Sequence, residues 1–442
     1  VKPLGFLRSA TSTLVTNVLM MVLNGAIGVV AARALGPEGL GTFAIAMLIP
    51  NLASLFLQFG IGMATVYFMG QKKYPTDVLA GNVLSVSIVT SLAVVPVYLL
   101  CIPLLQQTVA VGIESNTLAL IGVAIPFALV SRHLLYIFLG LQYIDTYNQL
   151  RVLRAGSSLV LLVGAVIVLR MGSLGAVCSV TLGWLVMMLS GLFALRKVIV
   201  VRLYWSWGAL RDCLKLGLQG FLSNLFQFFN YRLDVLILSF FLGVAAVGIY
   251  ATAVTIAEML WYVPEAIATV LFPKTAASST QESRSFTPVV TRNVFAFTWV
   301  LSILMAVFSY PVVILVFGGR YADSVLPLQL LLPGVIMLSV NKLLASDLAG
   351  RGLLLYNTVA SLVGLFVTVI LDVILIPLWG INGAAVASSI SYVLSTLVVL
   401  VLYVRVSGNR IGAVLIPEAA DRNLYVTVWR RMLGLFPVGV GR

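Results

Sequence analysis

Apolar runs of roughly 20 residues or more recur from one end of the chain to the other, separated by short polar breaks. Twelve are read, at approximately 11–33, 42–69, 78–105, 119–141, 149–170, 174–196, 214–242, 247–272, 291–317, 327–349, 353–377 and 382–405. Each is long enough to cross a bilayer as a helix. The pattern predicts an all-α polytopic membrane protein with twelve transmembrane helices. Pro50, Pro96, Pro126, Pro264 and Pro311 fall inside these runs and are expected to bend or interrupt them, although proline is common in membrane helices.

The second half of the pattern repeats the first. Leu35-Gly36, Gly41 and Phe43-Ala44 correspond to Leu242-Gly243, Gly248 and Tyr250-Ala251, each 207 positions on. Asn17 and Arg8 correspond to Asn224 and Lys215 at the same spacing. Ala64-Thr-Val-Tyr-Phe68 echoes Ala268-Thr-Val-Leu-Phe272 at 204, and Leu134-Leu135 with Tyr147-Asn148 echoes Leu343-Leu344 with Tyr356-Asn357 at 209. Gly172, Gly175 and Ala176 match Gly380, Gly383 and Ala384 at 208. Six spans per copy is an even number, so both copies enter the membrane from the same side. That predicts two pseudo-symmetric six-helix lobes about an axis along the membrane normal, with a cavity between them. The expected division is an N-lobe at 1–197, a basic linker at 198–213, a C-lobe at 214–405 and a basic tail at 406–442.

Composition agrees. Hydrophobic residues make up 61%, charged residues 9%, and mean hydropathy is +1.10, which excludes an ordinary soluble domain. The net charge of +13 would suit nucleic acid, but its placement points elsewhere. Of 27 Lys and Arg, 21 lie at the N-terminus, the even-numbered breaks and the tail, and only Arg33, Arg170 and Arg320 at the odd-numbered breaks. The positive-inside rule places both termini in the cytoplasm, so the protein is expected to be a multi-pass protein of the cytoplasmic membrane that binds no nucleic acid. No removable signal peptide is read at the start, and Tyr204, Trp205 and Trp207 in the linker are expected at headgroup level. The stretch Leu424–Phe436, with Arg430 and Arg431, is expected either on the inner leaflet or disordered. Cys101, Cys178 and Cys213 have no metal-type spacing and read as packing residues.

Three basic residues remain inside spans: Arg132, Arg232 and Lys342. Arg132 and Asn341-Lys342 occupy equivalent places in the two copies, so Arg132 and Lys342 are expected to clamp an anion from two sides, with Arg232 as a third contact. Snorkelling to the headgroups is the plainer alternative. His133 is the single histidine and reads as a satisfied interior imidazole more readily than as a proton carrier. Arg232 and Asp234 are two apart on one helix, roughly 200° around it, and each needs a partner elsewhere. Asp234, Thr368, Asp372 and Ser388 are candidate oxygen ligands for a coupling Na⁺ or H⁺, with Glu258 as a further carboxylate; interhelical hydrogen bonding is the alternative. No phosphate loop, metal-ligand cluster or nucleophile in a recognisable setting is present in the sequence, so no enzyme and no resident cofactor is expected.

Three stretches carry a family resemblance: Ala34-Leu-Gly-Pro-Glu-Gly-Leu-Gly-Thr-Phe43; Arg232-Leu-Asp234 with Leu242-Gly243 and Gly248-Ile-Tyr-Ala251; and Leu375-Ile-Pro-Leu-Trp-Gly-Ile-Asn-Gly-Ala-Ala385. They resemble the polysaccharide transport family, whose Wzx-type members flip lipid-linked oligosaccharides. That family belongs to the MOP superfamily, with the lipid II flippases and the MATE multidrug exporters. The resemblance runs over essentially all twelve spans. It implies alternating access by two lobes and a polyprenyl-pyrophosphate-linked glycan as substrate, used for O-antigen, exopolysaccharide or capsule, with polysaccharide polymerase or assembly proteins as possible partners. It also implies a cationic cavity, matched by Arg132 and Lys342, and a sodium site on the seventh, eleventh and twelfth helices, where Asp234, Thr368, Asp372 and Ser388 fall. Lipid II flippases carry two further helices that this chain lacks. A MATE-like exporter of cationic drugs is the alternative, disfavoured by three intramembrane cations. A membrane-bound glycan polymerase or ligase would need a large outer loop, and the longest outer break runs only from Gln106 to Thr117.

Overall fold

A computed structural model describes residues 3–200, 205–418 and 421. Among the described residues the chain is helical throughout and contains no strand. In order the helices are α1 (Pro3–Gln58), α2 (Ile61–Gln71), α3 (Thr76–Leu100), α4 (Ile102–Gln107), α5 (Ser115–Gly140), α6 (Ile144–Leu162), α7 (Gly172–Arg196), α8 (Trp207–Leu242), α9 (Val244–Met259), α10 (Tyr262–Ala277), α11 (Thr280–Val316), α12 (Val325–Gly350), α13 (Leu354–Trp379), α14 (Ile381–Ser407) and α15 (Ile411–Leu415). A π-helical turn, Val163–Val168, prolongs α6.

Ten helices among the described residues are long and apolar enough to cross a membrane, and the bent pair α9–α10 makes an eleventh. The apolar stretch Val15–Gln58 of α1 is 44 residues, about 66 Å at 1.5 Å per residue and twice a hydrocarbon core. It is two helical arms joined by a kink at Gly36, where φ is 71° and ψ is −179°. Counting both arms gives the twelve spans that the hydropathy pattern predicts.

The duplication is visible in the backbone. Gly36 and Gly243, 207 apart, share one conformation: Gly243 has φ 78° and ψ 177°. A side chain is excluded from that region, so the Leu-Gly pair of each copy places the same kink between its first and second spans. Gly172 and Gly380 likewise both have positive φ, 58° and 59°, at the turn before the last span of each half.

The prolines expected to bend the spans do not set the breaks. Pro50, Pro96, Pro126 and Pro311 lie within continuous helices. The second span of the first half breaks instead at Phe59-Gly60, both with positive φ, and its counterpart breaks at Leu260-Trp261, where α9 and α10 meet at 48°. Pro264 falls in the first turn of α10, where a missing N–H costs nothing. One lost hydrogen bond in a long, packed helix is not enough to break it.

Within each half, small residues bring helices close, since lipid offers no hydrophobic drive between them. Gly183 of α7 lies against Ser158 of α6, Gly334 of α12 against Ser389 of α14, and Gly364 of α13 against Asn230 of α8. Between the halves, α1 packs along α9. At the end near the two kinks, a Cβ added to Gly41 would sit 1.7 Å from the Val244 carbonyl oxygen, and one on Gly248 would sit 1.8 Å from that of Pro37. Arg33 donates to the carbonyls of Val316 (2.8 Å) and Leu315, Tyr321 to that of Ala32 (2.8 Å), and Ser239 to that of Val109 (2.6 Å). This far end is sealed between the halves.

At the opposite, basic end the halves meet through the start of α8. Asp212 accepts from Lys73 at 2.6 Å and Tyr74 at 2.7 Å, and those two donors hold its carboxyl below the ordinary carboxylate range. Gly217 and Gly60 touch backbone to backbone. Trp205 and Trp207 are exposed and meet edge to face at 5.4 Å. Tyr204 and the stretch Leu424–Phe436 with Arg430 and Arg431 lie outside the described residues.

Candidate functional site

The candidate residues fall into three groups of polar side chains in the helical interior. The first belongs to the first half. Arg132, half-buried on α5, donates through Nη2 to Asn51 Oδ1, and its buried Nε has no partner. Arg151 and Arg154 stand one turn apart on α6. Arg151 donates to Asn17 Oδ1 at 3.1 Å and lies over the Tyr147 ring, while Arg154 lies 4.6 Å over the Trp184 ring. Arg154 is within electrostatic range of both Arg132 and Arg151. Among the described residues none of the three has a carboxylate partner. Three guanidinium groups held inside a membrane protein with no counter-ion are costly to keep, and an anionic ligand would offset that cost. His133 is fully buried beside them, its Nδ1 2.6 Å from Ser87 Oγ.

The second group lies in the other half at the α9–α10 bend. Arg232 of α8 pairs with Glu258 of α9 at 2.9 Å, with a second contact at 3.2 Å, and Lys342 of α12 pairs with Glu265 of α10. Tyr231, Trp261 and Tyr392 pack around these pairs. Arg232 and Lys342 are therefore balanced locally, whereas Arg132 has no carboxylate partner among the described residues. Glu258, the further candidate carboxylate, serves Arg232 here.

The third group is oxygen-rich and deeply buried. Asp234 of α8 accepts from Tyr250 at 2.6 Å, Ser388 at 3.3 Å and the Val235 backbone N–H at 2.8 Å. One turn earlier, Asn230 Oδ1 accepts from Thr368 at 2.8 Å and Ser391 at 2.7 Å. Asp372 of α13 is 0% exposed, feels the Asp234 charge, and has no hydrogen-bond partner on either carboxylate oxygen. A buried carboxylate without donors requires a proton or a cation. The surrounding donors are all hard oxygens of carboxylate, amide, hydroxyl and phenol, which fit a small hard cation and equally fit a proton shared by the two carboxylates.

Asp234, Asp372, Thr368 and Ser388, picked out from the sequence, thus come together on α8, α13 and α14, Thr368 through Asn230. Several partners escaped sequence reasoning. Arg151 and Arg154 count there as topology charges, and Tyr250 as a repeat marker. Asn230 was detectable, since it sits four residues before Asp234 on the same helix face. Glu265 follows the α9–α10 break, whose position the prolines misplace.

Residues 30–326 match the family described as polysaccharide biosynthesis protein. The chain belongs to that family. Over 382 residues, covering 83% of this chain and 76% of the relative, it is 25% identical to a Haloferax volcanii protein named "Probable low-salt glycan biosynthesis flippase". Its fold is that of the MOP superfamily. The lipid II flippase MurJ in an inward closed conformation superposes with a TM-score of 0.76 at 14% identity, covering 98% of this chain and 93% of MurJ. An inward-facing multidrug resistance MATE family transporter superposes at 0.75 and 17% identity, covering 90% of this chain and 98% of that one. The long apolar helices of the chain make it a multi-pass membrane protein.

Proposed function

We propose that the protein is a flippase that moves polyprenyl-pyrophosphate-linked oligosaccharide across the cytoplasmic membrane by alternating access, for surface polysaccharide assembly. The observation that carries this reading is the group of arginines in the first half with no carboxylate partner among the described residues. A cation exporter requires the opposite balance. The named flippase relative and the family support the same choice over a drug exporter, and over a polymerase or ligase.

The mechanism follows from the substrate's chemistry. A pyrophosphate and its sugars cannot enter hydrocarbon, while the polyprenyl chain is at home there. The two lobes (1–197 and 214–405, joined at 198–213) need only offer the headgroup a hydrated, cationic interior open to one side at a time, the tail remaining in lipid. Arg132 takes the pyrophosphate bidentately, with Arg151 and Arg154 adding charge around it. Arg232 and Lys342, each tied to a glutamate, face it from the second half. With the basic end in the cytoplasm, the sealed far end is the outer face, and loading occurs from inside. A cysteine at Ser279 is then expected to label from the cytoplasmic side and one at Ser115 from the outside; the reverse pattern would invert the direction of transport.

The carboxylates of the second half supply direction. Na⁺ bound among Asp234, Asp372, Asn230, Thr368 and Ser388, or a proton there, relieves the cost of the buried charge and holds α8, α13 and α14 in one arrangement. Equivalent positions in the first half, Ile27 and Gly164, carry no charge. The test is uptake of lipid-linked saccharide into proteoliposomes under imposed gradients. Asp234→Asn and Asp372→Asn are expected to abolish its dependence on Na⁺ or pH while headgroup binding persists. Unchanged gradient dependence in both variants would remove the site from the cycle.

A further inference from the structure

The second half holds an aromatic cluster at the α9–α10 break. Tyr231 and Trp261 have ring centroids 5.1 Å apart, Tyr231 and Tyr392 5.7 Å, and Trp261 and Tyr392 5.9 Å. At the 207 and 208 spacings Tyr231 and Tyr392 correspond to Asn24 and Trp184, and Arg154 covers the Trp184 ring. The cluster sits where α9 gives way to α10, framed by Arg232–Glu258 and Lys342–Glu265. The Glu265 side chain is 59% exposed, and a carboxylate that open within a membrane helix faces water, not lipid. Trp261 Nε1 is buried with no hydrogen-bond partner, whereas a tryptophan placed only for packing usually finds one.

We propose that Tyr231 and Trp261, backed by the buried Tyr392, form a saccharide platform that receives the first sugars of the substrate while the arginines of the first half hold its pyrophosphate; this rests on the flippase reading above. A pyranose ring presents an apolar C–H face and a rim of hydroxyls. The aromatic faces suit the first, and the paired charges, with donors and acceptors side by side, suit the second. A cationic drug is the occupant least suited to these rings. Lys342 Nζ lies 5.3 Å from the Trp261 centroid and 5.9 Å from that of Tyr231, so it repels a cation at the edge of these rings while its N–H groups can donate to sugar hydroxyls. The two ends of one headgroup are thus divided between the lobes, which lets a single ligand report on their relative position.

The full chain in nanodiscs tests this by binding farnesyl pyrophosphate and its glucosyl, galactosyl and N-acetylglucosaminyl conjugates. At least one conjugate is expected to bind about tenfold more tightly than farnesyl pyrophosphate itself, the size of one stacked aromatic contact with its hydrogen bond. Trp261→Leu and, independently, Tyr231→Leu are expected to erase that margin and leave the affinity for farnesyl pyrophosphate within about twofold of wild type. Trp261→Phe, which keeps a ring, retains part of the margin. Equal weakening of the bare and sugar-bearing ligands in the Leu variants, or no conjugate preferred by the wild type, would overturn the platform alone. Failure of the wild type to bind farnesyl pyrophosphate at all would overturn the flippase reading with it.

Discussion

Reversing the charge at Arg132, by Arg132→Glu, is expected to reduce transport of lipid-linked saccharide at least about 100-fold while the protein still inserts and accumulates. The guanidinium spends one nitrogen on Asn51 and leaves its Nε unpartnered, with Arg154 close enough to add to its field. A glutamate there would place an anion where the pyrophosphate must sit. Arg132→Lys is expected to do more harm than Lys342→Arg, because only arginine offers a planar fork to a phosphate. Lys342 is in addition already balanced by Glu265, so an arginine can take over its pairing. Arg151→Gln and Arg154→Gln should weaken headgroup binding in the same direction by smaller factors. Mild and equal effects of charge reversal at Arg132 and Lys342, measured by transport in proteoliposomes, would show both to be snorkelling residues with no part in binding.

A second large effect is expected at the helix crossing that seals the far end. Gly41 and Gly248 are repeat equivalents that meet across the interface between the halves, each against the backbone carbonyl four residues before the other. There is no flexible side chain to yield, so any Cβ forces α1 and α9 apart. Gly41→Leu and Gly248→Leu are each expected to reduce transport more than about tenfold by blocking closure of that end, without preventing opening. Ser239 reports the state of the seal, since it is fully buried with its hydroxyl on the Val109 carbonyl. A cysteine at Ser239 should resist aqueous thiol reagents in the wild type and react in either glycine variant. Wild-type transport by Gly41→Leu, with Ser239 still protected, would mean that the crossing is incidental.

Much of this was legible in the sequence because hydropathy and charge placement act on each helix separately. The twelve apolar runs and the 207-residue spacing of Leu35-Gly36 and Leu242-Gly243 led directly to the duplicated helical halves. The conformation of those glycines was not legible, and proline was a poor guide: Pro126 and Pro311 are carried inside unbroken helices. Intramembrane charges stood out for their cost, so Arg132, Arg232, Asp234, Lys342 and Asp372 were found. Their partners depend on how each helix is rotated against its neighbours, which no hydropathy pattern encodes. Hence neither the pairing of Glu258 with Arg232 nor the lack of any donor to Asp372 is legible in the sequence.

The most direct measurement is transbilayer movement in proteoliposomes. A fluorescent polyprenyl-pyrophosphoryl saccharide is placed in one leaflet, a membrane-impermeant reductant is added outside, and ethidium uptake is followed in parallel. Movement of the lipid-linked saccharide that requires Arg132, with no protein-dependent uptake of ethidium, is the expected result. Protein-dependent ethidium transport with the lipid-linked saccharide left in its original leaflet would contradict it and make the chain an exporter of cations.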